Sequence, residues 1–217
     1  MDKKPKHPSK AAYNEGDSIT EVNWDEVPDP VEDSPEDEVV ELIKSEFPQY
    51  VISHHRFRGD RTVVIKREGL LEIVRRLKED PELDFSILMD LTAVDYSGMG
   101  REPRFEVVYH LFSYEKKLRL RLKVPVAEKD AWMETLVPLY EAANWFEREV
   151  MEFFGVTFKN HPDPRKLFLY DEFKGYPLRK DYPYNKRQPL IEYRDVGIER
   201  HHFPGERGSG TDDILNR

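Results

Sequence analysis

The chain contains no cysteine. That excludes disulfides, thiolate metal ligands, iron–sulfur ligation by this chain and a cysteine nucleophile, and it fits a reducing compartment. Long apolar runs are missing as well. No stretch approaches the roughly 20 apolar residues of a membrane span, so membrane association has to go through another protein. The opening "MDKKPKHPSK" has no apolar run after its charges and does not read as a secretory signal. Hydrophobic residues are scarce, at 38% against 35% charged, and mean hydropathy is -0.75. A 217-residue chain of this composition suits one domain with long arms, part of it outside any core. Excess positive charge is absent too: a net charge of -9 argues against a nucleic-acid backbone or an anionic lipid surface as the main partner. There is no phosphate-binding Gly-rich loop, no nucleophile elbow and no HExxH zinc motif.

What is present begins with a leader, residues 1–33, rich in Pro, Asp, Glu and Lys. It reads as disordered or extended, with Val22, Trp24 and Val27 as residues that could dock. "SPEDEVVELIKSEFP" then carries helix-start chemistry: Ser34 to cap, Pro35 for the first helical position, Asp37 to return a bond. "YVISHHRFRGDRTVVIKR" reads as a hairpin turning at Arg58-Gly59-Asp60, with the adjacent His54 and His55 on opposite faces. "REGLLEIVRRLKEDP" is a second amphipathic helix. Three strands follow. "FSILMDLTAVDY" is mostly buried by composition, and "RFEVVYHLFSY" and "KLRLRLKVPV" form a hairpin around Glu115-Lys116.

The order α-β-β-α-β-β-β predicts an α+β two-layer sandwich with a mainly antiparallel sheet. "DAWMETLVPLYEAANWFEREVMEFFG" predicts two helical pieces broken near Pro138, ended by Gly155. The expected division is a leader, a core domain over 34–155, and an extended docking arm and tail over 156–217. Periodicity fails along the arm, yet residues 145–193 hold 12 of the 26 aromatics. Flexible linkers are poor in aromatics, so this segment should be pinned to a surface, its own or a partner's.

Charge crowds the start of the arm. Glu147, Glu149 and Glu152 could supply a general base, and His161 with Asp163 could ligate a metal, with His201 and His202 completing the site. Against this, positions 147 and 149 diverge by about 200° on a helix, and His-x-Asp is unspecific. The competing reading is a docking segment. Arg148, Arg165 and Arg179 are forked cations, Pro162, Pro164, Pro177 and Pro183 stiffen the backbone between them, and aromatics interleave, as in an interface.

"ANWFEREVMEFFGVTFKNHPDPRKL" and "GYPLRKDYP" resemble the 30-kilodalton subunit family of respiratory complex I, the proton-translocating NADH:quinone oxidoreductase. Glu147, Arg148, Glu149, Glu152, Phe153, Phe154, His161 and Arg165 fill the first signature in order, with Gly155 and Pro162 inside it. Gly175, Pro177, Leu178, Arg179, Lys180 and Asp181 fill the second, followed by Pro183. "DLTAVDY" and "RFEVVYHLFS" also resemble the family, and the similarity spans roughly residues 36–185. Met151 stands where Tyr is usual and Glu152 where Asp is commoner.

The resemblance implies a non-catalytic scaffold subunit that binds no cofactor itself. Partner subunits would hold FMN, the iron–sulfur clusters and the quinone. The chain would dock on the large quinone-site subunit (D in the lettering of the complex) and near the cluster-bearing one (B). The whole would sit on the cytoplasmic face of the inner membrane of a bacterium. A relative of the complex fed by ferredoxin, F420 or hydrogen would use the same subunit in the same way.

Overall fold

The computed structural model describes residues 35–189. The leader, its cap Ser34, and His201 and His202 lie outside the described residues. Helix α1 (Pro35–Glu46) starts on the proline, as its fixed φ favours, and buries Val39, Val40 and Ile43. A short turn leads into strand β1 (Val51–Phe57), which hairpins into β2 (Asp60–Ile65). Arg58 and Gly59 make this two-residue turn at φ 51° and 90°. Two positive φ values in a row give the turn hand that matches strand twist.

Helix α2 (Leu70–Glu79) buries Leu70, Ile73, Val74 and Leu77 and crosses beneath the sheet to β3 (Ile87–Asp95). Strands β4 (Phe105–Ser113) and β5 (Leu118–Val126) complete a sheet of order β1-β2-β5-β4-β3. Three of its four pairings are antiparallel, as expected, and the β2–β5 seam is parallel, with Thr62 opposite Arg121. β5 alternates as its sequence reads: Leu118, Leu120, Leu122, Val124 and Val126 are buried.

One sheet face supports the whole core. Phe105, Val107, Tyr109 and Leu111 of β4 meet the buried stripes of all three described helices in a single cluster. Val64 and Val108, on the opposite face, stand outside that cluster.

Two expectations are corrected. β3 is an edge strand rather than a mostly buried one: Leu88, Leu91 and Ala93 point inward while Ile87, Met89 and Val94 are exposed. Its apolar composition does not distinguish two buried faces from one. The first helical piece after Asp130 is instead a short strand, β6 (Trp132–Glu134), followed by turns through Tyr140. β6 pairs in parallel with β7 (Thr157–Lys159), a partner beyond the reach of local pattern. Between them runs helix α3 (Ala143–Phe154), which ends on Gly155 as predicted.

Candidate functional site

Helix α3 carries an unusual load: Glu147, Arg148 and Glu152 are all buried. Their spacing of one and four residues spreads them over adjacent faces, and each finds a different partner. Glu147 points into the body. Its carboxylate accepts from the Thr135 hydroxyl at 2.6 Å and the Leu136 N–H at 2.6 Å, both at the end of β6. Burial pushes its pKa up to about 7 despite those bonds. His161 Nε2 lies 3.9 Å away. The His161 ring accepts the Asp163 N–H at Nδ1, 3.0 Å, which places the proton on Nε2 and lets it donate to the Asn144 carbonyl at 3.2 Å. Close by, the Tyr109 hydroxyl and Asn144 Oδ1 are buried without a hydrogen-bond partner among the described residues. Burial, and the nearby Glu147 charge, raise Tyr109 well above the usual phenol range.

Arg148 and Glu152 point the other way, at the arm. Arg148 donates to the carbonyls of Arg165 (2.8 Å) and Lys166 (3.1 Å) and lies 3.7 Å from the Asp163 carboxylate. Glu152 accepts the N–H groups of Leu167 and Phe168 at 3.0 and 2.9 Å, and that of Leu169. Three consecutive amides on one carboxylate are charge-assisted bonds, each stronger than a neutral one. Phe153 stacks on Phe168 at 5.8 Å. Lys166 gathers the carbonyls of Tyr170, Asp171 and Phe173 within 3.1 Å. Glu149 is half-buried.

Gly155 closes the helix at φ 72°. A Cβ there would sit 2.5 Å from the Tyr176 ring and 2.6 Å from Arg179. So the second signature lies directly over the end of the first. Arg179 donates to the Phe154 carbonyl at 2.6 Å, packs between Phe105 and Tyr176 at 5.0 and 4.3 Å, and reaches Glu128 at 3.4 Å. The Leu178 N–H bonds the Phe153 carbonyl, and the Lys180 N–H bonds Asp95. Asp181 pairs with Arg104 at 2.8 Å. Arg104 is itself a fork on Asp95, 3.0 and 2.9 Å, and a bridge to Glu128 at 2.8 Å. Burial alone would raise Asp95, but Arg104 and the N–H groups of Lys180 and Ser97 hold it down to about 2.

The structure therefore brings most signature residues together along one seam between α3, the sheet end and the arm. Among the signature cations the Lys180 side chain is exposed, and so is Arg165. It is 82% exposed and pairs with Asp163, which it holds at about 2. Pro162, Leu178 and Pro183 are exposed, and Gly175 turns the chain at φ 98°. Both nitrogens of His161 are engaged and its side chain is 1% exposed, while Asp163 is held by Arg165. Among the described residues no group of three His, Asp or Glu could hold a metal ion. Sequence reasoning missed Asp95, Arg104 and Glu128 as site residues. The signal was weak: a lone Asp and a lone Arg at two strand ends, joined only by the fold.

Residues 63–188 match the family model described as respiratory-chain NADH dehydrogenase, 30 Kd subunit. The corresponding (C-type) subunit of the Geobacter sulfurreducens NADH-quinone oxidoreductase is 45% identical over 141 residues, covering 65% of this chain and 85% of that protein. Its counterpart from Roseiflexus sp. is 37% identical over 163 residues, 75% and 92% of the two chains. That of Rhodobacter capsulatus is 42% identical over 159 residues, 70% and 78%. Among solved structures, the trypsin-resistant fragment (1-134) of Nqo5 superposes with TM-score 0.52 at 31% identity, covering 58% of this chain and 97% of the fragment. A chain of the membrane-bound sulfane sulfur reductase, an archaeal respiratory membrane complex, gives TM-score 0.58 at 27% identity, covering 70% and 88%. The chain belongs to the 30 Kd subunit family of the respiratory-chain NADH dehydrogenase.

Proposed function

We propose that this chain is a cofactor-free structural subunit of a proton-translocating NADH:quinone oxidoreductase, docking on the quinone-site subunit near the cluster-bearing one. One observation carries the reading: three charges of the two signatures, the buried Arg148 and Glu152 and the half-buried Arg179, bind the backbone along the arm and its junction with α3. Charges spent on the chain's own backbone are unavailable to a substrate. They hold a docking segment in shape and leave its apolar side chains outward. Phe168, Leu178 and Tyr184 are 65%, 52% and 99% exposed along that segment, and preorganised aromatics are what interface cores use. FMN, iron–sulfur clusters and quinone belong, on this reading, to the partner subunits. No described helix is long and apolar enough to cross a membrane. On the same reading the chain is peripheral, on the cytoplasmic face in a bacterium.

The likeness to the sulfane sulfur reductase chain supports a second reading, the same scaffold role in a relative of the complex with another electron donor such as ferredoxin, F420 or hydrogen. The relatives from NADH-quinone oxidoreductases, at higher identity, favour the NADH enzyme. The test is to purify the tagged chain with its native assembly in mild detergent and identify the other subunits. The quinone-site and cluster-bearing subunits should copurify, and the separated chain should carry no flavin or cluster absorbance. About one flavin per separated chain overturns the scaffold reading, and an assembly lacking the NADH-oxidising subunits moves it to the relative.

A further inference from the structure

Two polar atoms where helix α3 packs on the sheet are buried with no hydrogen-bond partner among the described residues: the Tyr109 hydroxyl and Asn144 Oδ1. Tyr109 stands on β4, on the sheet face that meets the helices, and is 0% exposed. Burial first, and then the Glu147 charge, raise its pKa, which makes phenol and carboxyl neighbours. Asn144 lies on α3 three residues before Glu147, the spacing that puts two side chains on one face of a helix. The Asn144 carbonyl and the Glu147 carboxyl also approach a single atom, His161 Nε2, at 3.2 and 3.9 Å. Tyr109 from the sheet, and Asn144 and Glu147 from the helix, thus converge on one small volume.

The other polar groups beside Glu147 are committed. The Thr135 hydroxyl donates to the carboxyl and accepts the Val137 N–H at 3.2 Å. The Leu136 N–H donates to the same carboxyl. His161 accepts from the Asp163 N–H and donates to the Asn144 carbonyl. What remains is a phenol O–H to donate, an amide oxygen to accept, and the carboxyl next to both. A buried polar atom without a partner costs more than an ordinary hydrogen bond returns, and native interiors leave few of them. Tyr109 and Asn144 bond neither to each other nor to Glu147, so whatever joins them must both accept and donate. A cation offers the phenol no acceptor, and the volume has only one carboxyl to hold it. A water molecule accepts two hydrogen bonds and donates two.

We propose that one internal water molecule sits between helix α3 and strand β4, bonded to the Tyr109 hydroxyl, Asn144 Oδ1 and the Glu147 carboxyl. The bonds close in both states of Glu147. With the carboxyl protonated, the water accepts from Tyr109 and Glu147 and donates to Asn144. With it ionised, the water accepts from Tyr109 and donates to the other two. Three bonds is the usual number for an internal water. The site ties the helix that bears the first signature to the sheet, and it does not depend on the partner reading above.

The test uses the full chain. A crystal structure that resolves ordered water should show one peak within about 2.5–3.0 Å of all three oxygens. An Asn144 amide turned to donate straight to Tyr109 or Glu147, with nothing between them, overturns the proposal. Tyr109→Phe decides by its sign. If the hydroxyl holds a water, its loss should lower the folding constant about fivefold, the worth of one ordinary hydrogen bond. If the hydroxyl is bare, the same change removes an unpaired buried group, and a folding constant equal to or above that of the parent chain overturns the proposal. In an Asn144→Ala background, Tyr109→Phe should cost less than in the parent, because the shared water has already lost an anchor. An equal cost in both backgrounds, read from denaturant titrations, means that no water joins the two side chains, and it too overturns the proposal.

Discussion

Glu147 is a residue whose protonation the fold controls between mildly acidic and neutral pH. Burial holds its carboxyl protonated up to about pH 7, whereas the unfolded group ionises near 4.5. Between those values the folded chain binds one more proton than the unfolded chain. Stability therefore falls as pH rises through that window and levels off above it, at up to about 1.4 kcal/mol per pH unit. Asp95 works in the opposite sense. Its carboxyl is held at about 2 against 3.8, so it contributes stability that is lost only as pH falls toward 2. Glu147→Gln should flatten the decline between about pH 4.5 and 7 and leave the acid-side loss in place. Denaturant titrations across that range check this, and an unchanged slope in the variant would sink the assignment. Gly155→Ala is expected to destabilise by about 1–3 kcal/mol, since it adds a strained left-handed residue and pushes Tyr176 and Arg179 off the helix end. A thermal midpoint equal to that of the parent chain would falsify it. Gly155 was legible in the sequence as a helix stop. The burial of Glu147 was not, because a Glu in a charged helix is ordinarily solvated, and only the Leu136 N–H and Thr135, just past β6, reveal why this one is not.

At the scale of elements, α3 and the arm form one unit. Removing Glu152 strands the N–H groups of Leu167, Phe168 and Leu169, at a cost of about 1–3 kcal/mol. In Glu152→Ala those three amides should exchange hydrogen about 10- to 100-fold faster, while amides in β4 keep their rate. Exchange at 167–169 equal to the parent would mean the arm is held by its aromatics alone. The apolar stripe of helix α3 and its stop at Gly155 were readable from spacing, while its start after the turns at 137–142 was not. β6 was not: "AWMETLV" has the composition of a helix, and its strand state comes from pairing with Thr157–Lys159. Long-range pairing decides such short segments, and local propensity does not. The same applies to β3, where edge position decides which face is wet. The hairpins, whose partners are adjacent in sequence, were all legible.

For the whole molecule, the element order and the α+β class followed from alternation and turn chemistry. The spatial strand order did not, because β5 enters between β2 and β4 by a pairing no local pattern encodes. That parallel seam also has a consequence in time. Thr62 and Arg121 meet across it although they lie 59 residues apart. A chain emerging vectorially exposes the β1–β2 hairpin and the apolar stripes of α1 and α2 well before their central neighbour exists. Synthesis at about 5–20 residues per second makes that wait several seconds, and non-local closure is the slow class of folding event. Stalled nascent chains should stay protease-sensitive until β5 has cleared the ribosome, then become resistant abruptly. Resistance already present in chains released after residue 116 would show that the N-terminal half closes without the seam. The two-helix, two-strand half is thus a natural client for a chaperone during those seconds, and a substitution such as Leu122→Ala, in the middle of the seam, should lower the yield of folded chain made in the cell more than a similar change in α3.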